Sequence, residues 1–358
     1  MESMIFDMAE RLFRDHVNHG LREAAAGGQC PEALWTQIEE AGLHMSLVPE
    51  ADGGFGVPAS EALGLIRIAG AHGLPLPLAE TLVANAVLAR AGLTLPGGRL
   101  TIAEGGSLEL TRSGKALHAK GHLPIVPFAR WADRIVTIAA IDGTDHVLSL
   151  PVKDLSIAPG QDLAGMPRDD VEVDLALTEA DAAPLSRSFG GSQSSDVMRG
   201  LGALSRSLAM AGAMESILTM SVEYANDRVQ FGRPIGKFQA IQQYLATMAG
   251  EASASRVAAE MAADSYDTPT FALAVAAAKS RTGEAAETIG ALAHQVHGAI
   301  GYTQEHALHH FTKRIWSWRD EFGSELDWTR DLGRAALTSP HDTFWHFITD
   351  STAQGAPA

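Results

Sequence analysis

The sequence predicts a mainly α-helical protein with a central β domain, and three changes of texture along the chain carry that prediction. Residues 1–96 have helical periodicity punctuated by Gly and Pro. Residues 97–186 switch to short β-prone runs. Residues 187–350 return to long amphipathic helices, and 351–358 read as a disordered tail. A length of 358 residues is enough for three such units at about 100–200 residues per domain.

In the first unit, Leu34 and Ile38 lie in an amphipathic stretch that stops at Gly42, and Asp52-Gly53-Gly54-Phe55-Gly56 is a turn signal. Helical texture resumes from about Ser60 to Ala71. Leu74-Pro75-Leu76-Pro77 breaks it, and a last helix runs from about Glu80 to Arg90. The middle unit holds Leu100-Thr101-Ile102, Leu108-Glu109-Leu110-Thr111 and Ile135-Val136-Thr137-Ile138 as β-prone runs. Asp142-Gly143 sits between Ile141 and His146-Val147-Leu148 as a hairpin signal, and Val171 to Leu175 alternates with period two. Such spacing predicts an antiparallel sheet or small barrel. Arg187 to Asp196 is rich in Gly and Ser and reads as a linker. Beyond it, four amphipathic stretches predict a helical bundle: Met214 to Ala225, Phe238 to Met248, an Ala-rich run to Ile289 and Val296, and Leu308 to Trp318.

Lys plus Arg number 27 and Asp plus Glu 43, a net charge of −16. That balance argues against nucleic acid or an anionic membrane surface as a partner. The single cysteine, Cys30, forms no internal disulfide and no cysteine-rich metal site. The first residues carry acids and lack a leader's apolar core, and no apolar run reaches the roughly 18 residues of a membrane span. A soluble, cytoplasmic protein is the expectation.

No GxGxxG follows a β-prone run and no P-loop is present. His306, His309 and His310 lie close together, with no HEXXH and no acid pattern to complete a coordination set. They read as a surface or interface cluster, with no metal expected. Two other segments are more specific. Arg228-Val229-Gln230-Phe231-Gly232-Arg233-Pro234-Ile235-Gly236-Lys237-Phe238-Gln239 joins two bundle helices. Such a corner offers a guanidinium, free backbone amides and an amide side chain, a set suited to pyrophosphate and ribose. In Gln295-Val296-His297-Gly298-Ala299-Ile300-Gly301-Tyr302-Thr303, the glycines allow another surface close to the backbone, and Thr303 is a candidate N-cap for the next helix.

RVQFGRPIGKFQAIQ followed by QVHGAIGYTQEH resembles the C-terminal bundle of the acyl-CoA dehydrogenases, and LWTQIEEAGLHMSLVPEADGGFG resembles their N-terminal signature. The order helical, β, helical is also theirs. The resemblance implies a flavoprotein that oxidises acyl-CoA to trans-2-enoyl-CoA. In it a carboxylate takes the α-proton and FAD accepts the β-hydride, with the FAD lying across a subunit interface. It implies that Arg228 contacts the pyrophosphate, that Gln230, Phe231, Phe238 and Gln239 flank the adenosine half, and that Gln295, Val296, His297, Gly298 and Ala299 pack on the same moiety. Electron-transfer flavoprotein is the acceptor it implies.

The sequence also departs from the pattern. Catalytic members carry their base in a Tyr-Glu-Gly triplet. A gap-free count puts Glu321-Phe322-Gly323 there, with Phe322 at the base position and Glu321 one residue away. Glu321 is thus the candidate base, although its charged neighbours Arg319 and Asp320 give it the look of a surface residue. The alternative base position, on the first long bundle helix, falls on Gly202. Thr101 to Ser107 and Pro127 to Trp131 replace the loop and strand that cover the flavin ring. EHALHHFTKRIWSWRDEFGSELDW resembles the short subunits of bacterial heteromeric acyl-CoA dehydrogenases acting on steroid side chains. The expectation is a subunit of an α2β2 enzyme in which a paralogous subunit supplies the base. The alternatives are a self-sufficient homo-oligomer using Glu321, or a non-catalytic structural subunit.

Overall fold

A computed structural model describes residues 4–104, 107–113, 116–185, 189 and 194–338. The linker of 187–196 falls largely outside the described residues, and the tail of 351–358 wholly so.

Five helices open the chain: α1 (Met4–His16), α2 (His19–Ala26), α3 (Glu32–Glu40), α4 (Ala59–Ala71) and α5 (Leu78–Arg90). Helix α4 stops where Gly73 turns left-handed (φ 56°), ahead of the two prolines before α5. Helix α5 is buried from Leu78 to Ala89 on every side, so it is a core helix rather than an amphipathic one.

The middle domain comprises β1 (Leu100–Ile102), β2 (Glu109–Ser113), β3 (Ala116–Pro127), β4 (Arg134–Ile141), β5 (Thr144–Pro151), β6 (Ser156–Ala158), β7 (Arg168–Leu177) and β8 (Ala182–Pro184). They form two four-stranded sheets, ordered β1-β4-β5-β8 and β2-β3-β7-β6. Leu110, Leu123 and Val173 from one sheet and Ile135, Leu148 and Leu150 from the other share one core. The expected antiparallel pairing holds throughout except that β1 runs parallel to β4. Asp142 (φ 52°) and Gly143 (φ 74°) make the two-residue β4–β5 hairpin turn. A break in register between Leu123 and Val126 re-aims β3 and leaves Ile125 (φ 52°) exposed.

The last domain is a bundle of α6 (Ser194–Asp227), α7 (Gln239–Asp264), α8 (Phe271–His297), α9 (Leu308–Asp320) and α10 (Glu325–Thr338). A hairpin of β9 (Val229–Gln230) and β10 (Arg233–Pro234) joins α6 to α7. Helices α4 and α6 cross at small residues: a Cβ on Gly70 would collide with the Ala209 backbone, and one on Gly212 with that of Arg67. That crossing welds the first domain to the bundle, and one continuous hydrophobic core runs through both. Thr303 is not the expected N-cap. Helix α9 starts at Leu308, and the Thr303 hydroxyl instead donates to Ile300 O within the preceding turn.

Candidate functional site

The two motif segments meet at one end of the bundle. Helices α6 and α8 both finish there, and the Tyr224 ring stacks on that of His297 at 4.7 Å. Beyond α6 the hairpin turns at Phe231 (φ 51°) and Gly232 (φ 79°). A bulky residue in the left-handed region is strained, and such strain gathers at functional sites. Phe231 is 92% exposed and edges onto Phe238, whose other contact is the Arg233 guanidinium 4.3 Å from its ring. Arg228, Gln230 and Gln239 are exposed, and Arg228 has no ion pair among the described residues. In the second segment Gln295, Gly298 and Ala299 face outward, whereas Val296 and His297 are buried.

These residues fit the pyrophosphate and adenosine half of FAD. The Arg228 guanidinium is uncommitted, and Gly298 (φ 63°) has open space where a side chain would stand. His297 Nδ1 donates to Ala293 O at 2.8 Å, which leaves Nε2 as a buried lone pair without a partner, suited to a hydroxyl or amino donor. Burial holds that imidazole below its ordinary pKa and so neutral.

A second site faces the middle domain. A cleft of about 880 Å³ lies between the sheets and the end of α9, lined by Glu104, Pro127, Ile138, Arg168, Trp316, Glu321 and Phe322 among others. The β3 bulge contributes Ile125 to its wall. Burial pushes the Glu104 carboxyl up, with Arg199 opposing. Trp131 packs with Phe128, Ala25 and Met166.

Glu321 is not the surface charge that its neighbours Arg319 and Asp320 imply. It sits beneath the cleft, clamped by two arginines. Arg168 Nε donates to its Oε1 at 2.8 Å and Arg206 Nε to its Oε2 at 2.6 Å. Arg206 also donates to Glu80 Oε1 at 2.6 Å, and Asp162 lies 3.3 Å from Arg168. Burial pushes the Glu321 carboxyl up, but Arg168 and Arg206 outweigh it, and the group stays below the usual carboxylate range. Lys279 caps the end of α9 by donating to Trp318 O at 3.0 Å and Arg319 O at 2.6 Å. Its burial pushes the ammonium down to about 7, with Glu321 opposing. Sequence reading missed Arg168, Arg206, Glu80 and Lys279. The available signal was a charge on an otherwise apolar helix: Glu80 in the all-buried α5, and Arg206 among Leu201, Leu204 and Leu208.

The two positions at which the resemblance places a base, 202 and 322, face each other. Phe322 (φ 55°) is 8% exposed, and a Cβ on Gly202 would drive into its ring. The Trp328 indole N–H donates to Phe322 O at 2.9 Å and pins this turn.

The histidine cluster also differs from expectation. His306 precedes α9. His309 and His310 meet His19 and Glu23 of α2, so the acid that no local pattern supplied comes from the far end of the chain.

The N-terminal domain of acyl-CoA dehydrogenases matches residues 1–93, and the C-terminal domain of the same enzymes matches residues 198–324. They are oxidoreductases acting on a CH–CH bond, with FAD as cofactor. The chain belongs to the acyl-CoA dehydrogenase family. It is 27% identical over 284 residues to the acyl-CoA dehydrogenase IpdE2 of Mycobacterium tuberculosis, covering 79% of this chain and 80% of that relative. Its fold is similar to the ChsE4–ChsE5 complex of Mycobacterium tuberculosis (TM-score 0.84, 21% identity, 94% of this chain and 97% of that one). It is also similar to a variant of the Tcur3481–Tcur3483 steroid acyl-CoA dehydrogenase (TM-score 0.81, 23% identity, 93% and 96% covered). Among the described residues, no helix is long and apolar enough to cross a membrane.

Proposed function

We propose that this chain is the subunit of a heteromeric acyl-CoA dehydrogenase that holds the pyrophosphate and adenosine half of FAD at an interface with a paralogous, base-bearing subunit. The single observation that carries this reading is the contact of Phe322 with Gly202. A phenyl ring and a glycine fill the two places that the resemblance gives for a base, and the ring leaves no room for a side chain at position 202. The acid next to them, Glu321, has both carboxylate oxygens engaged by guanidiniums and its ionised form stabilised, which makes it a weak proton acceptor.

The bundle-end corner is the working part of the chain. Arg228 would hold a phosphate of FAD, and the space at Gly298 would admit the ligand against backbone. The outward-facing Phe231 supports an interface there, since a second subunit would cover it. When bound, FAD supplies the hydride acceptor of α,β-desaturation, which yields a trans-2-enoyl-CoA. A bulky, steroid-side-chain-like acyl-CoA is the substrate class favoured by the likeness to a steroid acyl-CoA dehydrogenase assembled from two different chains. An α2β2 assembly and electron-transfer flavoprotein as acceptor complete the reading.

Expression alone and together with the paralogue tests it. Colourless, inactive protein that gains flavin and turnover on co-expression is the expected result. Yellow, active protein from this chain alone would overturn it in favour of a self-sufficient enzyme. A complex whose flavin content ignores Arg228→Ala would point to a purely structural subunit.

A further inference from the structure

The junction of α2 with α9 holds a cluster that neither the bundle-end corner nor the cleft uses. His19 and Glu23 are one helical turn apart on α2 and share a face, while His309 and His310 lie in the first turn of α9. His310 Nε2 is 3.1 Å from His19 Nδ1 and 3.3 Å from Glu23 Oε1. Ligand atoms of His19, Glu23 and His310 all lie within 4.8 Å of one another. Donors held about 2.0–2.1 Å from a tetrahedral zinc ion stand roughly 3.3 Å apart. Both measured separations are close to edges of such a tetrahedron.

Counting hydrogens strengthens the case. His309 Nδ1 lies 2.7 Å from His306 O, and a carbonyl only accepts, so this nitrogen carries the hydrogen. His309 Nε2 faces Glu23 Oε1 at 3.1 Å. His310 is buried, and its Nε2 has two neighbours, His19 Nδ1 and Glu23 Oε1, for at most one hydrogen. That shortage is one that a cation relieves. Arg22 is bonded to His72 O at 2.6 Å and Arg314 to Leu74 O at 2.9 Å, and neither guanidinium donates to the cluster.

We propose that His19 Nδ1, Glu23 Oε1 and His310 Nε2 form a binding site for a divalent transition metal, zinc above all, clipping the N-terminal domain to α9. Two imidazoles and one carboxylate favour zinc over magnesium or calcium, which take all-oxygen sets. His19 is partly exposed, so the fourth position opens to water. His309 Nε2 lies 3.1 Å from the same carboxylate oxygen.

The test uses the full-length chain, treated with EDTA and titrated with Zn²⁺ by calorimetry and with Co²⁺ by visible absorption. One metal per chain, micromolar or tighter binding, the intense bands of four-coordinate cobalt and a Tm raised by zinc are the expected results. His19→Ala changes a partly exposed side chain and leaves the fold intact. It is expected to weaken zinc binding by about tenfold or more and to remove the Tm rise, and Glu23→Gln is expected to do the same. No saturable binding, or equal affinity in both variants, overturns the proposal. His19 and Glu23 belong to neither the bundle-end corner nor the cleft. Flavin content and turnover of the complex therefore stay unchanged in His19→Ala, and this test succeeds or fails separately from the proposed function.

Discussion

Arg206 and Arg228 are one residue type in opposite circumstances. Arg206, inside α6, is 2% exposed and bonded to two carboxylates, Glu80 and Glu321. Arg228, just past the end of the same helix, is exposed and has no ion pair among the described residues. Around Arg206 every charge is answered from within the chain. Around Arg228 the side chains are offered outward, the turn is strained at Phe231, and a buried His297 nitrogen has no partner. A guanidinium that serves the fold is saturated by the fold, and one kept for a ligand is left with free donors. The contrast separates the corner proposed for binding from a turn, Glu321–Gly323, whose contacts hold the protein together.

The largest effect should come from Arg206→Leu. It strands the buried Glu80 carboxylate and leaves Glu321 with Arg168 alone, and removing one partner of such a network costs about 3–5 kcal/mol. Urea unfolding measures it, and a loss below about 1 kcal/mol would break the comparison.

Glu321→Gln sharpens it. Two arginines lose a charged partner, so stability should fall by about 1–3 kcal/mol, while turnover of the assembled complex stays within a few-fold of wild type. Loss of a general base typically costs about 10²–10⁴-fold, so a drop of that size with normal assembly and flavin content would make Glu321 the base. Gly202→Ala overpacks the same turn and should cost about 1–3 kcal/mol. In a Phe322→Ala background that cost should shrink markedly, the coupling expected of residues in contact. Equal costs in both backgrounds would mean that the two sites do not oppose each other.

At the bundle-end corner the effects should move from stability to ligand. Arg228→Ala should change stability by no more than about 0.5 kcal/mol while weakening FAD retention in the complex about tenfold or more, the loss of a charge-assisted phosphate contact. Equilibrium dialysis of FAD distinguishes this from a solvated helix-end cation, for which retention would not change.

The smallest effect is a slope. The folded Lys279 ammonium titrates near 7, whereas a lysine in the unfolded chain titrates near 10.4. Between these pH values the unfolded chain binds more protons, so this residue makes stability rise with pH from about 7 to about 10. Lys279→Met should flatten that part of the stability–pH curve, and an unchanged slope would place the titration elsewhere.

Much of this was legible in one dimension. The Asp142-Gly143 hairpin, the α4 and α5 helices around the Pro75 and Pro77 break, and the long bundle helices follow from periodicity and turn chemistry, which act over a few residues. The residues of the proposed binding corner are strung along two short segments, so they could be named from sequence for the same reason. The parallel β1–β4 pair and the β3 bulge were not, because pairing partners and register are settled by the shared core between sheets.

What the sequence by itself determined is the order of domains, the helical and hairpin segments, and the residue types offered at the bundle end. Only the tertiary structure decided what the charges do. Glu321 looks like a surface acid beside Arg319 and Asp320, and becomes the hub of an ion-pair network because Arg168 and Arg206 converge on it from two other elements, with Glu80 on the far side of Arg206. The same holds for His19, Glu23 and His310, and for Gly202 against Phe322. Local propensity is a property of neighbours in sequence. Electrostatic partnership and steric exclusion are properties of neighbours in space, and in this chain folding joins residues more than a hundred positions apart.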